Sequence, residues 1–302
     1  MGFGGHYTNG HIVPKGVTIK TPLLNARYAG PSHLWGTITM KFNRLATALA
    51  TGGVMLVASL TANATHSWNG YHWARTTSSF TLQTLNSTVA NSNANWPQLL
   101  GLAASDWSQS TKLDLRVSSY TNTSTSRKRC TAVAGKIRVC NASYGNNGWL
   151  GLASINLDSN GHISQGTAKM NDSYSSTWTT DSNEARHVMC QEVGHTFGLD
   201  HQSTDGSSQN TCMDYSNSST STRPNTHDYD ELVTIYSHAD SYNSYSTSTA
   251  FSVAQTAMAG GEGLGVLVHK DHFNETYVAP DGHGGIWIHD VILAPGFEHI
   301  KL

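Results

Sequence analysis

Residues 191–201 read Gln-Glu-Val-Gly-His-Thr-Phe-Gly-Leu-Asp-His. On an α-helix, Gln191 and His195 lie one turn apart on the same face, so both can address one ion. Glu192 is rotated from Gln191 by roughly 100° about the axis, which sets its carboxylate beside that ion and within reach of a proton on water. Gly198 lets the chain leave the helix in a left-handed conformation. That turn brings His201 back as a third donor. Two imidazoles and one neutral oxygen leave a coordination position open for water, which is what a catalytic zinc requires. The chemistry expected is metal-assisted hydrolysis with Glu192 as the general base. His187 shares the helical stripe of Gln191 and His195. It lies about 12 Å from His195 along the axis, too far for one ion to join them, so it is expected near the site or on the surface.

Further elements occur in order around this stretch. Downstream stands Thr211-Cys212-Met213-Asp214-Tyr215, and upstream Gly148-Trp149-Leu150-Gly151-Leu152-Ala153-Ser154-Ile155. Taken together the chain resembles the metzincin family of zinc endopeptidases over roughly Phe80 to Tyr242. The resemblance implies a Zn2+ ion held by Gln191, His195 and His201, and a tight turn that packs Met213 beneath it. It implies that Tyr215, two residues after that Met as in the astacin-like and serralysin-like branches, binds the metal at rest or donates a hydrogen bond to the oxyanion. It also places Leu150, Gly151, Leu152 and Ala153 on a cleft-edge strand of the matrixin type, where a peptide adds as an extra strand.

The departure is Gln191, which stands where the family has its first His. Three readings follow. The amide oxygen ligates zinc, as a weaker donor than imidazole. Alternatively the ion is held loosely by two histidines and water, or the site has decayed and the protein is a non-catalytic relative. The presence of Glu192, His195, Gly198, His201, Met213 and Tyr215 favours catalytic metal binding.

The formal net charge is −2, from 18 basic and 20 acidic side chains, which argues against a nucleic-acid partner. Only 13% of the residues are charged, while Ser, Thr, Asn and Gly are abundant, a surface common in exported proteins. Eight tryptophans and the apolar segments point to a folded core rather than a disordered polar chain. Residues 40–64 resemble a secretory signal peptide: Lys41 and Arg44, an apolar stretch from Leu45 to Leu60, and Ala62-Asn63-Ala64 as the cleavage site. The apolar stretch is short for a membrane span. Residues 1–39 are expected to be an over-extended start, with a leader and short anchor as the rival reading. A secreted monomer with no stable membrane association is therefore expected.

Four cysteines fit export and allow three pairings. Cys130 and Cys140 flank a turn centred on Gly135, which suits a hairpin-bridging disulfide. The resemblance brings the backbones at Cys190 and Cys212 together beneath the metal, implying a second bridge there. No C-x-x-C pair supports cysteine ligation of zinc.

The elements that must position these residues follow from periodicity and turn signals. Strands are expected over 79–89, 112–118, 136–141, 150–157 and 162–170, the last two joined by a turn at Asn160-Gly161. Asn95-Trp96-Pro97 starts a helix to Ser108 that turns Leu99, Leu100, Ala103 and Trp107 inward. Residues 121–129 and 171–182 read as polar loops, 183–197 as the metal helix and 202–222 as a Ser/Asn-rich loop. Thr226 can cap a last helix over 227–239 with Tyr229, Leu232, Val233, Ile235 and Tyr236 as its apolar side. The fold expected is α+β: a metzincin-like catalytic domain over 65–242 with a twisted mixed sheet, an N-terminal helix, an active-site helix and a C-terminal helix. Residues 243–262 read as a linker, and 263–302 as a small β-hairpin module with Ile286, Ile288 and Val291 alternating. His269, His272, His283 and His289 in it show no metal-ligand spacing.

The leading expectation is a secreted Zn2+-dependent endopeptidase acting on polypeptides. The rival is a non-catalytic secreted binding protein with a degenerate cleft. A zinc hydrolase acting on other amides is a remoter third reading, because the motif fixes the water chemistry and not the substrate.

Overall fold

The computed structural model describes residues 66–180, 182–245 and 263–299. The segments read as an over-extended start and a signal peptide lie outside the described residues, as does most of the linker. Among the described residues no helix is long and apolar enough to cross a membrane.

The fold is α+β around one mixed eight-stranded sheet. Its strands are β1 (Phe80–Ser87), β2 (Leu113–Ser119), β3 (Ile137–Ala142), β4 (Trp149–Leu157), β5 (Ile163–Asn171), β6 (Val266–Lys270), β7 (Asn274–Pro280) and β8 (Ile286–Leu293). Their order across the sheet is β2-β1-β3-β5-β4-β8-β7-β6. Strands β2, β1, β3 and β5 run parallel. All pairings from β5 through β4 and β8 to β6 are antiparallel.

Helix α1 (Trp96–Trp107) is started by Asn95, whose side chain accepts from the Gln98 amide, with Pro97 in the first turn. It buries Trp96, Leu100, Ala103, Ala104 and Trp107, while Leu99 packs at the margin. Helix α4 (Ser182–His195), the helix expected to carry the metal ligands, lies against α1, β4 and β5. The two segments expected as polar loops each contain a short helix, α2 (Ser124–Arg129) and α3 (Ser175–Thr180). Neither shows an apolar period. Helix α2 buries no residue and forms through its Thr123 cap, whereas α3 is anchored by the buried Trp178, whose indole N–H reaches Asn171 O at 3.0 Å.

Helix α5 (Thr226–Ile235) begins one residue earlier than expected. Asn225, not Thr226, is the cap, and it forms a reciprocal capping box with Asp228. Val233 is exposed rather than inward. The buried side carries Asp228 and Glu231 instead, and Asp228 is held by His66 at 3.0 Å and by Thr211. A polar network therefore occupies a face where periodicity alone predicts hydrocarbon.

The core between the helices and the sheet is rich in tryptophan. Trp73, Trp96, Trp107 and Trp178 are fully buried. Their indole N–H groups reach Thr196 O, Asp172 Oδ1, Cys190 O and Asn171 O at 2.8–3.0 Å, so the rings are buried without a stranded donor. Both expected disulfides are present, Cys130–Cys140 and Cys190–Cys212, each with Cα atoms 5.9 Å apart.

Strands β6 to β8 extend the main sheet rather than forming a sheet of their own. Strand β8 pairs along β4 from Trp149↔Leu293 to Leu157↔Ile286. Strand β4 is thus interior, between β5 and β8, and not the free edge expected.

Candidate active site

Helix α4 brings Gln191 and His195 to one face, and the chain turns out of it at Gly198, where φ is +100°. The turn needs glycine twice over. The dihedral is left-handed, and a β-carbon there would run into the carbonyl of Tyr71. The turn is fixed from the N-terminal segment, where Trp68 N–H donates to Gly198 O at 2.8 Å. His201 then returns to His195, with ring centroids 4.5 Å apart.

Each imidazole is oriented through its outer nitrogen. His195 Nδ1 bonds Leu199 O at 2.8 Å, and His201 Nδ1 lies 3.0 Å from the Tyr215 hydroxyl. Both Nε2 atoms are buried and have no hydrogen-bond partner. Gln191 donates its amide N–H to Asp214 O at 3.0 Å, which leaves its Oε1 buried and unpartnered. Three donor atoms with no other bond, two of them on rings held from behind, match the donor chemistry of a zinc site. They belong to the three residues expected to hold a metal, and Gln191 is left with its oxygen, the atom able to ligate.

A fourth donor was not expected from the sequence. Asp290 of β8 sets its Oδ1 3.6 Å from His195 Nε2 and 3.9 Å from His201 Nε2. That carboxylate accepts from Asn274 Nδ2 at 2.6 Å, and burial raises it to about 7. The sequence carried a signal for it. Ile288, Asp290 and Ile292 stand opposite Ile155, Ala153 and Gly151, on the side facing α4, so an acid interrupts an apolar face. An alternation read through Val291 takes the wrong phase.

Glu192 is fully buried, and neither carboxylate oxygen has a hydrogen-bond partner of ordinary geometry. Burial pushes its pKa well above the usual carboxylate range, Asp290 adds to the shift, and the Ala153 amide opposes it. Burial lowers His195, favouring the neutral ring that a metal needs.

Met213 is fully buried, and its sulfur fills the space above Gly194 of α4. The Cys190–Cys212 bridge joins the helix to this turn. Tyr215 bonds His201 and stacks on Phe273 at 5.2 Å between ring centroids, so in this arrangement it holds the His201 ring. His187 is buried and holds Ser221 O at 2.7 Å.

Of the residues expected on a cleft edge, Gly151 and Ala153 face α4 opposite Ile292 and Asp290. Leu152 turns to the other face, beside Trp149 and Val291. His269, His272, His283 and His289 join no metal-ligating group among the described residues. No family model matches the chain, and no curated protein matches it.

Proposed function

We propose that this chain is a secreted zinc-dependent endopeptidase, and that its C-terminal hairpin fills the substrate cleft. The observation that carries the reading is the convergence of His195, His201 and Asp290, whose ligand atoms lie within 4.8 Å of one another with both Nε2 atoms buried and unpartnered; Gln191 Oε1 and the Glu192 carboxyl, from the same helix as His195, are buried and unpartnered too. Zinc held by these donors supplies the charge that polarises a scissile carbonyl and acidifies the attacking water. Glu192 takes the proton from that water and passes it to the leaving amine. Its buried setting favours holding a proton, which suits the second half of that role. Strand β4 offers its backbone to an extended peptide in the antiparallel sense, the place held by β8.

Asp290 completes a set of four donors, and a closed set leaves no position for water. Hydrolysis therefore requires β8 to withdraw. The same closure favours a second reading, a non-catalytic binding protein in which the metal only braces the fold. The two separate on Asp290→Ala. Cleavage of casein and of fluorogenic peptides is measured for the full chain, for Asp290→Ala and for Asp290→Ala/Glu192→Gln, each with zinc and with chelator. The peptidase reading expects Asp290→Ala to be at least about tenfold faster than the parent, with activity lost on chelation and in the double variant. Zinc-loaded protein that cleaves nothing, both as Asp290→Ala and as a chain with residues 263–302 removed so that β4 is uncovered, supports the binding protein.

A further inference from the structure

A second cluster lies outside the site just described. Asp240 Oδ1 is 3.6 Å from His72 Nε2, 3.4 Å from His162 Nε2 and 3.4 Å from His238 Nε2. His72 Nε2 and His238 Nε2 are 3.1 Å apart. The four residues come from three places: the segment ahead of β1, the turn between β4 and β5, and the segment after α5. None of the three nitrogens hydrogen-bonds the oxygen they surround, because each separation exceeds the ordinary 2.7–3.2 Å range.

The proton bookkeeping calls for a positive charge at the centre of this arrangement, on a bound cation or on a protonated ring. His72 Nδ1 lies 2.7 Å from Gly70 O, and a carbonyl only accepts, so Nδ1 carries the ring proton. A neutral His72 then directs the Nε2 lone pair at a carboxylate. His162 is likewise engaged through Nδ1, 2.8 Å from the Tyr242 hydroxyl, which in turn donates to Asp158. The other oxygen of Asp240 accepts from the Arg75 amide at 2.9 Å. Three of the four groups are thus held through their outer atoms with their inner atoms converging, as metal ligands are. The distances also fit. A tetrahedral ion with bonds of about 2.0–2.2 Å has donor–donor edges of about 3.3–3.6 Å. The ligand atoms of His72, His162 and Asp240 all lie within 4.8 Å of one another, and His238 Nε2 adjoins His72 Nε2 at 3.1 Å and Asp240 Oδ1 at 3.4 Å.

We propose that His72, His162, His238 and Asp240 bind a second zinc ion, distinct from the one assigned to His195 and His201. Three imidazoles and one carboxylate select zinc over the alkaline-earth cations. His72, His162 and Asp240 form the core of the set, and His238 beside them fills the fourth position, so the role proposed is structural. His238 is half-exposed, which gives the ion a way in. The ion pins the segment that carries Tyr71 and Trp73, and those residues contact Gly198 and Thr196 in the turn leading to His201. Its loss loosens the first site from behind.

The experiment counts metal in the full chain after equilibration with zinc and removal of the excess. The His195→Ala/His201→Ala variant is the reference, because it lacks the first site whatever that site does. It is expected to keep about one zinc per chain, to melt several degrees lower with chelator, and to give the visible spectrum of tetrahedral cobalt when loaded with Co2+. Adding His238→Ala or Asp240→Asn is expected to abolish all three signals. His238 is half-exposed, so that substitution leaves packing intact. A reference variant that retains no zinc, or one whose zinc and cobalt signals survive both added substitutions, overturns the proposal. The cluster is then a protonated ion-pair network. A second site that holds while every form lacks peptidase activity refutes the proposed function alone.

Discussion

The Glu192 side chain occupies the space that a β-carbon on Gly151 would fill: that point lies 2.7 Å from the Glu192 Cδ and 2.8 Å from its Cγ. Real side chains do not approach so closely, so a strand residue and a helix residue are matched at this one place. Gly151→Ala is expected to displace the carboxyl while leaving His195 and His201 in position. Peptidase activity in the Asp290→Ala background should fall by about 10²-fold, the scale of a misplaced reacting group, with zinc content unchanged. Equal activity would show that Glu192 does not work from this position.

Gln191→His is expected to raise zinc affinity by on the order of tenfold, since imidazole replaces an amide oxygen. The exchange suits the site, because a ring Nδ1–H can take over the bond that Gln191 now makes to Asp214 O. Titration of metal-free protein with zinc checks it. Unchanged affinity would mean that residue 191 does not reach the ion.

Replacing Cys190 and Cys212 with alanine is expected to destabilise the fold by about 2–4 kcal/mol, the usual scale for a native bridge. The bridge ties α4 to the turn that holds Met213 and Tyr215. Zinc should therefore dissociate faster as well. Thermal melting and a metal-release assay measure the two effects, and a large loss of stability with unchanged release would separate the bridge from the site.

Lys169 is buried within the sheet, and burial, helped by Arg138, lowers its pKa to about 8. A lysine whose folded pKa lies below its unfolded value opposes folding while the unfolded chain binds the extra proton. The penalty is full below about 8 and fades as pH rises towards the unfolded value of about 10.4. Urea midpoints are expected to rise over that window, and Lys169→Met should flatten the slope and raise stability at pH 7 by roughly 1–3 kcal/mol. A parent and a variant with the same pH slope would remove Lys169 as the cause.

Local signals led to much of this structure. Period and caps placed α1, α4 and five strands within a few residues, because each carries an apolar face and a start or stop that acts over three or four positions. The same logic gathered Gln191, His195 and His201 through one helix turn and one glycine. What stayed hidden depends on pairing between distant segments. Nothing near Asp290 indicates that β8 lies against β4, and nothing near Val233 indicates that Asp228 and Glu231 take the buried side of α5. The cluster around Asp240 joins residues from both ends of the domain, so no spacing rule finds it.

Strand β8 has a consequence for how the molecule is made. Its bond from His289 to Ser154 spans 135 positions of sequence, and the indole of Trp73 reaches Thr196 across 123. Contacts of such high order form late, because a long loop must close first. During synthesis β4 is complete, and flanked by β5 alone, for the whole interval before residues 286–293 emerge. Over that interval its outer backbone groups are an open template for any extended chain nearby. The nascent domain thus passes through a stage in which the outer edge of β4 is bare, and the last strand to arrive closes it.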